Sequence, residues 1–256
     1  MIVLVLVLVL MLPGAAHAES KRQATPAFWQ RDPTAHFPNE GRNHCAPTSI
    51  SDGLMYLAAA RGASSLVAGR DHAAQIRLVS LLGDDMHTDP KEGTSPDKIL
   101  AGLKNYVASR GYKFKRLEVA TWRTISGSNR VNLVGARPDV EWVRRAADDP
   151  DTVVLLNAGW YHREGPAYRR KDGHWVIALG SRGARGFDIH NPALEPGSQA
   201  AHTAVTLSPM PPFTRVYDGG SRTMSGYYRI DGPGLPFKGT IAAAVLDSVN
   251  VFSVAR

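Results

Sequence analysis

The pattern of apolar and polar residues predicts that helices dominate the first half of the chain. From about residue 45 onward, Ile50, Leu54 and Leu57 recur with the period of an α-helix. Pro47 is typical of a first helical turn, and Gly62 is typical of the position after a last turn. Two further helices are predicted, one over about residues 95–110 and one that begins near residue 138.

The second half of the chain alternates between short apolar runs and turn residues, which predicts strands. The strand-like runs cover residues 113–120, 152–161, 173–180, 186–192 and 241–254. Residues 209–239 are rich in glycine, proline and aromatic residues, and we expect a long surface excursion there. Helices first and strands later predict an α+β fold, with the helix near residue 45 packed on an antiparallel sheet.

Length and composition predict one folded domain behind an export signal. The chain has 256 residues, of which 43% are hydrophobic and 21% charged, and no linker or internal repeat divides it. Residues 1–12 are an unbroken apolar run, and Ala16-His17-Ala18 offers a signal-peptidase site. We therefore expect a signal peptide at 1–18, a single domain at 19–256, and a secreted or periplasmic protein without a stable membrane anchor.

The inventory of motifs leaves one thiol as the candidate reactive group. Cys45 is the only cysteine, which excludes disulfides within the chain and metal sites built from several cysteines. No motif typical of serine hydrolases, nucleoside triphosphatases, dinucleotide enzymes or metal sites is present, so we expect neither a cofactor nor a metal.

The position of Cys45 favours reactivity. At the start of a helix, unpaired amides and the helix dipole stabilise a thiolate and lower the pKa of the thiol. The alternative is a small residue that only packs beneath the helix.

A base and an orienting residue for such a thiolate can be found downstream. His174 opens one of the predicted strands, and Asn191 ends the next one, directly before a proline. A side-chain carbonyl at Asn191 would accept the second imidazole N–H and fix the tautomer of the ring. Asp188 is the alternative orienting residue, because its carboxylate would stabilise an imidazolium more strongly. The choice depends on which face of that strand meets His174.

Three short motifs in this order resemble the papain-like cysteine peptidases, and specifically their bacterial C39-like branch. The motifs are Cys45-Ala46-Pro47, Gly173-His174-Trp175-Val176 and Asn191-Pro192. The resemblance extends over residues 39 to about 208. It implies a papain-like fold in which Cys45 is the nucleophile, His174 the general base and Asn191 the orienting residue. It also implies an oxyanion donor six residues before the cysteine, where this chain has Asn39 in place of the usual Gln.

The predicted function is that of a secreted cysteine peptidase that hydrolyses peptide bonds of a peptide or protein substrate through a Cys-His-Asn triad. One alternative is a cysteine amidase or acyltransferase that acts on cell-wall peptides. The other is a catalytically inactive papain-like binding protein.

The charge of the chain adds a preference for acidic partners. The formal net charge is +7 and the isoelectric point is about 9.7. A positive net charge of this size favours binding to anionic cell-envelope material. The basic residues are spread along the chain without a nucleic-acid motif, so we do not expect nucleic-acid binding.

Overall fold

A computed structural model describes residues 21–126, 131–197, 202–233, 235 and 241–256. The predicted signal peptide lies outside the described residues. The described residues include four α-helices of nine residues or more, two short 3-10 helices, and a helical segment at residues 21–24. The α-helices are α1 (Cys45–Ala60), α2 (His72–Asp85), α3 (Pro96–Ser109) and α4 (Val140–Asp148). The 3-10 helices cover Pro38–Gly41 and Ser64–Leu66.

The described residues contain ten strands, all in one mixed sheet. They are β1 (Lys113–Thr121), β2 (Asn132–Gly135), β3 (Val153–Glu164), β4 (Ala167–Arg182), β5 (Gly186–His190), β6 (His202–Pro209), β7 (Phe213–Tyr217), β8 (Gly220–Met224), β9 (Tyr228–Asp231) and β10 (Ala243–Ala255). Because β3 pairs with both β4 and β10, the pairings of β3, β4, β5, β6, β9 and β10 close a ring. The β4–β3–β10 part of this ring supports the helices and the candidate site.

The ends of the helices differ in a way that matters for the site. Helices α2, α3 and α4 begin after Asp71, Ser95 and Asp139, and each of these side chains accepts a hydrogen bond from a first-turn amide. Helix α1 follows His44, whose side chain makes no such bond. The first amides of α1 are therefore left for another acceptor.

Two apolar clusters cover the two faces of the ring wall. On the outer face, α1 and its neighbouring helices pack against Val153, Leu155, Trp175 and Ile177. The opposite cluster joins inward residues of the six ring strands to α4, which contacts β3 and β4. Alternation along β3 and β4 assigns successive residues to the two clusters, as the strand period requires.

The α+β prediction is confirmed, together with the helix that begins at Cys45 and the five predicted strand regions. The prediction of a purely antiparallel sheet is wrong, because β1–β2 and β4–β7 are parallel pairs. The surface excursion predicted for residues 209–239 is also wrong in its described part, where β7, β8 and β9 join the sheet. Phe213 and Tyr227 belong to a third apolar cluster, whereas Tyr217 is 42% exposed.

Candidate active site

Cys45 is the first residue of α1 and is buried, with 7% of its surface exposed. The backbone amides of Trp175, Ala46 and Cys45 itself lie near the sulfur and favour its charged form. The uncapped helix end supplies two of these amides, and β4 supplies the third. The Trp175 amide belongs to the peptide that joins it to His174, so the sulfur lies directly beside the His174–Trp175 peptide group.

The effect of this environment on the thiol is the reverse of the sequence prediction. Burial raises the pKa of Cys45 to about 11, and the negative charge of Asp172 acts in the same direction. The three amides lower the pKa, as predicted for a helix start, but they do not outweigh desolvation. The expectation of a depressed thiol pKa was wrong because the depth of burial cannot be read from the position at a helix end. At neutral pH Cys45 is a thiol.

His174 and Asn191 are brought into direct contact. The ring nitrogen Nε2 of His174 lies 2.6 Å from Oδ1 of Asn191, and both residues are buried. Because the Asn191 oxygen is an acceptor, His174 donates this bond and Nε2 carries the proton. The tautomer that follows leaves Nδ1 as the basic nitrogen of the neutral ring.

The surroundings of His174 hold the ring neutral and fixed. Burial lowers the pKa of His174, while the hydrogen bond to Asn191 and the charge of Asp172 oppose this. The indole of Trp160 stacks on the ring at 5.9 Å between centroids and 15° between planes. The sequence analysis did not identify Trp160. It lies two residues after Ala158, the strand partner of His174, and therefore shares the face of that histidine.

The nucleophile and the base are neighbours without a direct bond. The described residues include no hydrogen bond between the Cys45 sulfur and the His174 ring, and the two residues meet through the His174–Trp175 peptide. The structure thus presents a neutral thiol beside a neutral imidazole. Catalytic hydrogen bonds are often long or poorly aligned in the absence of substrate.

The other two predicted site residues have different partners. Asp188 pairs with Arg182, with Oδ1 3.1 Å from Nε, so Asn191 and not Asp188 contacts His174. Asn39 is exposed, and its side-chain amide donates to the carbonyl of Pro90 at 2.8 Å. Asn43 donates to the same carbonyl at 2.7 Å and, unlike Asn39, lines the cavity beside Cys45.

A cavity of about 240 Å³ opens beside the sulfur. Its walls are the start of α1, the loop that leads into α3, and the beginning of the buried part of β4. It reaches Cys45 and the residues on both sides of His174, namely Gly173 and Trp175. A bound group in this cavity would therefore contact the thiol and the backbone that carries the histidine.

A buried ionic cluster, missed by the sequence reasoning, borders this cavity. Asp247 on β10 is fully buried and accepts hydrogen bonds from the Arg170 Nε at 2.6 Å and the Tyr161 hydroxyl at 2.8 Å. Arg170 also donates to the Asn157 Oδ1 at 3.1 Å. A side chain at Gly173 would displace the Arg170 guanidinium from its present position.

A second buried pair connects α1 to the strand that leads to Asn191. The Asp52 carboxylate on α1 lies 2.6 Å from His190 Nδ1 on β5, and both side chains are fully buried. Gln75 from α2 donates to the other carboxylate oxygen at 2.6 Å. The only sequence signal for this pair is that Asp52 is the one charged residue of α1.

Within the described ranges, no group of three or more His, Cys, Asp or Glu side chains is arranged to hold a metal ion. No helix among these residues has the length and apolar character needed to cross a membrane. Comparisons of the chain with models of protein families, with curated proteins and with solved structures give no match.

Proposed function

We propose that this protein is an exported cysteine hydrolase with a papain-like arrangement, which cleaves peptide or amide bonds with Cys45 as nucleophile, His174 as base and Asn191 as orienting residue. The observation that carries the proposal is the 2.6 Å hydrogen bond from His174 Nε2 to Asn191 Oδ1, on the strand whose Trp175 amide lies near the Cys45 sulfur. A buried asparagine that fixes the tautomer of a histidine beside a lone thiol is an arrangement suited to nucleophilic catalysis.

In the proposed reaction the proton moves as the carbon–sulfur bond forms. His174 Nδ1 takes the thiol proton, and the sulfur attacks the carbonyl carbon of the substrate. The imidazolium then gives the proton to the leaving nitrogen, the carbon–nitrogen bond breaks, and a thioester remains on Cys45. Water, deprotonated by His174, attacks the thioester carbon, and the acid leaves while the thiol regains a proton.

The buried position of the site supports this order of events. Because the thiol and the imidazole are both neutral at rest, no charged pair has to be kept in an apolar environment before substrate binds. The Asn191 bond stabilises the imidazolium when it forms. The Cys45 amide at the uncapped helix end is placed to stabilise the developing oxyanion. Asn39, held on the Pro90 carbonyl, would need to turn to contribute a second donor.

The test is hydrolysis of a panel that contains a fluorogenic casein, muropeptides with intact stem peptides, and simple amides. We expect activity that is abolished in Cys45→Ala and falls by about 10²–10⁴-fold in His174→Ala. We expect Asn191→Ala to lower kcat by roughly 10-fold or more with little change in KM, because it acts through the ring. His72→Ala removes an exposed histidine elsewhere and serves as the matched control.

The panel also separates the alternatives. Cleavage of muropeptides alone would identify an amidase of cell-wall peptides, and transfer of the acyl group to an added amine would identify an acyltransferase. A folded protein that cleaves nothing, with a Cys45 alkylation rate unchanged in His174→Ala, would contradict the proposal.

The last outcome would favour a non-catalytic binding protein. The raised pKa of Cys45 and the missing hydrogen bond between its sulfur and the His174 ring are the observations that support this second candidate.

A further inference from the structure

The cavity beside Cys45 has an excess of positive charge. Its described lining includes four basic side chains and two acidic ones. The basic residues are Lys98, Arg123, Arg170 and Lys171, and the acidic residues are Glu92 and Asp172. A concave site lined mainly by one sign of charge concentrates ligands of the opposite sign. The charge therefore indicates an anionic group in whatever fills the cavity.

The positive charge continues into the protein behind this wall. Arg215 is buried, lies 3.3 Å above the Trp122 ring, and has an Nε without a hydrogen-bond partner among the described residues. Arg123 stands over the same ring at 5.1 Å. Together with Arg170 they form what we call the arginine layer: Arg123, Arg170 and Arg215. Asp247 is the carboxylate of this region, and Arg170 and Tyr161 already bind it.

Arg123 is the member of the arginine layer that is left without a counter-charge. Within the described part of the chain, its guanidinium makes no hydrogen bond or ion pair, and Arg123 lines the cavity. Burial and the nearby charge of Arg170 lower the pKa of Arg123 to about 10, which Asp247 only partly offsets. A partly buried cation without a partner is costly, and an anion in the cavity would relieve that cost.

The arginine layer is close to the reacting atoms. The Arg170 guanidinium lies against Gly173, and Gly173 directly precedes His174. An extended peptide advances about 3.3–3.6 Å per residue, and Arg123, Arg170 and Cys45 line one cavity, so an anion bound by this layer would belong to a residue close to the attacked bond. Guanidinium groups match carboxylates in geometry, with two parallel N–H donors for two oxygens.

From these contacts we infer that Arg123, supported by Arg170, forms a carboxylate subsite of the cavity. The substrate would then be a peptide with a carboxylate next to the cleaved bond. The substrate statement rests on the proposed function, whereas the carboxylate subsite does not. The carboxylate has two possible sources, an acidic side chain or a free carboxyl terminus.

The subsite can be tested at Cys45 without a substrate. Iodoacetate and iodoacetamide differ by a carboxylate in place of an amide, and both alkylate thiolates. We expect the rate ratio of iodoacetate to iodoacetamide at pH 8.5 to be about 10-fold higher for Cys45 than for N-acetylcysteine amide. Arg123→Gln should remove most of this difference and Arg123→Lys should keep part of it. Arg77→Gln, an equal change of charge at an exposed position of α2, should leave the ratio unchanged.

A ratio equal to that of the free thiol, unaffected by Arg123→Gln, overturns the subsite. If Arg123→Gln does not fold, the salt dependence of the wild-type protein is the test. Its rate ratio of iodoacetate to iodoacetamide should fall toward that of the free thiol as NaCl is raised from 0.05 to 0.5 M, because salt screens the attraction between the guanidinium and the carboxylate of iodoacetate. A ratio that is independent of salt overturns the subsite as well.

The source of the carboxylate is then tested with peptides. Matched peptides carry Glu or Gln beside the cleaved bond and a free or amidated carboxyl terminus. A preference for Glu supports the side chain, a preference for the free terminus supports the terminal carboxylate, and equal cleavage of all four overturns the substrate statement. If no peptide is cleaved but the alkylation ratio stands, the proposed function fails and the subsite remains.

Discussion

At the level of single residues, the state of Cys45 is decided by a competition between burial and three amides. Burial dominates and raises the pKa of the thiol to about 11, although the helix end supplies donors to the sulfur. In the proposed reaction the thiol must therefore lose its proton to His174 as it attacks, and a stable thiolate does not precede the attack. Asn191 matters for this step because it keeps Nδ1 of the ring free of a proton beforehand.

The buried Asp52–His190 pair yields a prediction about stability. Asp52→Asn leaves His190 in a fully buried position without its carboxylate and weakens the bond to Gln75. Breaking one partner of such a pair costs about 3–5 kcal/mol, so we expect the free energy of unfolding to fall by about that amount. Urea unfolding followed by circular dichroism at pH 7 measures it.

The matched control for this prediction is an exposed carboxylate. Asp151 pairs with Arg61 at the surface, and Asp151→Asn should cost less than about 1 kcal/mol. Similar losses for Asp52→Asn and Asp151→Asn would show that the buried pair contributes no more than a surface ion pair.

At the level of elements, the fit between α1 and the sheet depends on one glycine. A methyl group at Gly53 would lie 2.5 Å from Val153 Cγ1 and 3.4 Å from Ile177 Cδ1. Gly53→Ala should therefore destabilise the protein by about 1–3 kcal/mol through overpacking, less a helix-propensity gain of up to about 1 kcal/mol. The measurement is the urea midpoint with an unchanged denaturant slope.

Gly83→Ala in α2 serves as the control, because the nearest atom to its methyl group would be His44 Nε2 at an ordinary 3.6 Å. It should be neutral or stabilising by up to about 1 kcal/mol. If Gly53→Ala were also neutral or stabilising, the close contact of α1 with β3 and β4 would not limit the packing of the helix.

At the level of the whole molecule, we expect stability to fall on mild acidification, in part through His202. Its ring packs edge-on against His190, at 5.5 Å between centroids. Burial lowers the pKa of His202 to about 4, and the charges of His190 and Arg22 add to the shift. The unfolded chain takes up this proton near pH 6.5, whereas the folded chain resists until about pH 4. Acidification between these values therefore favours unfolding.

The variant His202→Phe isolates this contribution. The loss in free energy of unfolding between pH 7 and pH 4.5 should be smaller in the variant by about 1–2 kcal/mol, since solvent screens a half-buried ring. Other titrating groups, including Asp52 and His174, are common to both proteins and cancel in the comparison. An identical pH dependence of the two proteins would contradict the assignment to His202.

The sequence predicted those features that depend on neighbouring residues. The helix that begins at Cys45 and the buried strand segment around His174 follow from local periodicity, and the Asn191–Pro192 turn suggested the orienting residue. The start of that strand was predicted wrongly at His174, because β4 begins at Ala167 with a less buried segment. Features that depend on residues far apart in the chain could not be predicted from the sequence. Asp52 and His190 are 138 residues apart, and Arg170 and Asp247 are 77 residues apart. A charged residue within a strand or helix gives no sign of which distant residue will bury it.

The pairing of Asp52 with His190 has a consequence for the motion of the site. Cys45 is the first residue of α1, and Asp52 lies two turns further along this helix. Asp52 binds His190, the residue just before Asn191. One rigid helix therefore anchors both the nucleophile and the end of the strand that orients the base. A displacement of α1 would therefore act on the sulfur directly and on Asn191 through His190, so the positions of the nucleophile and of the orienting residue depend on the same helix.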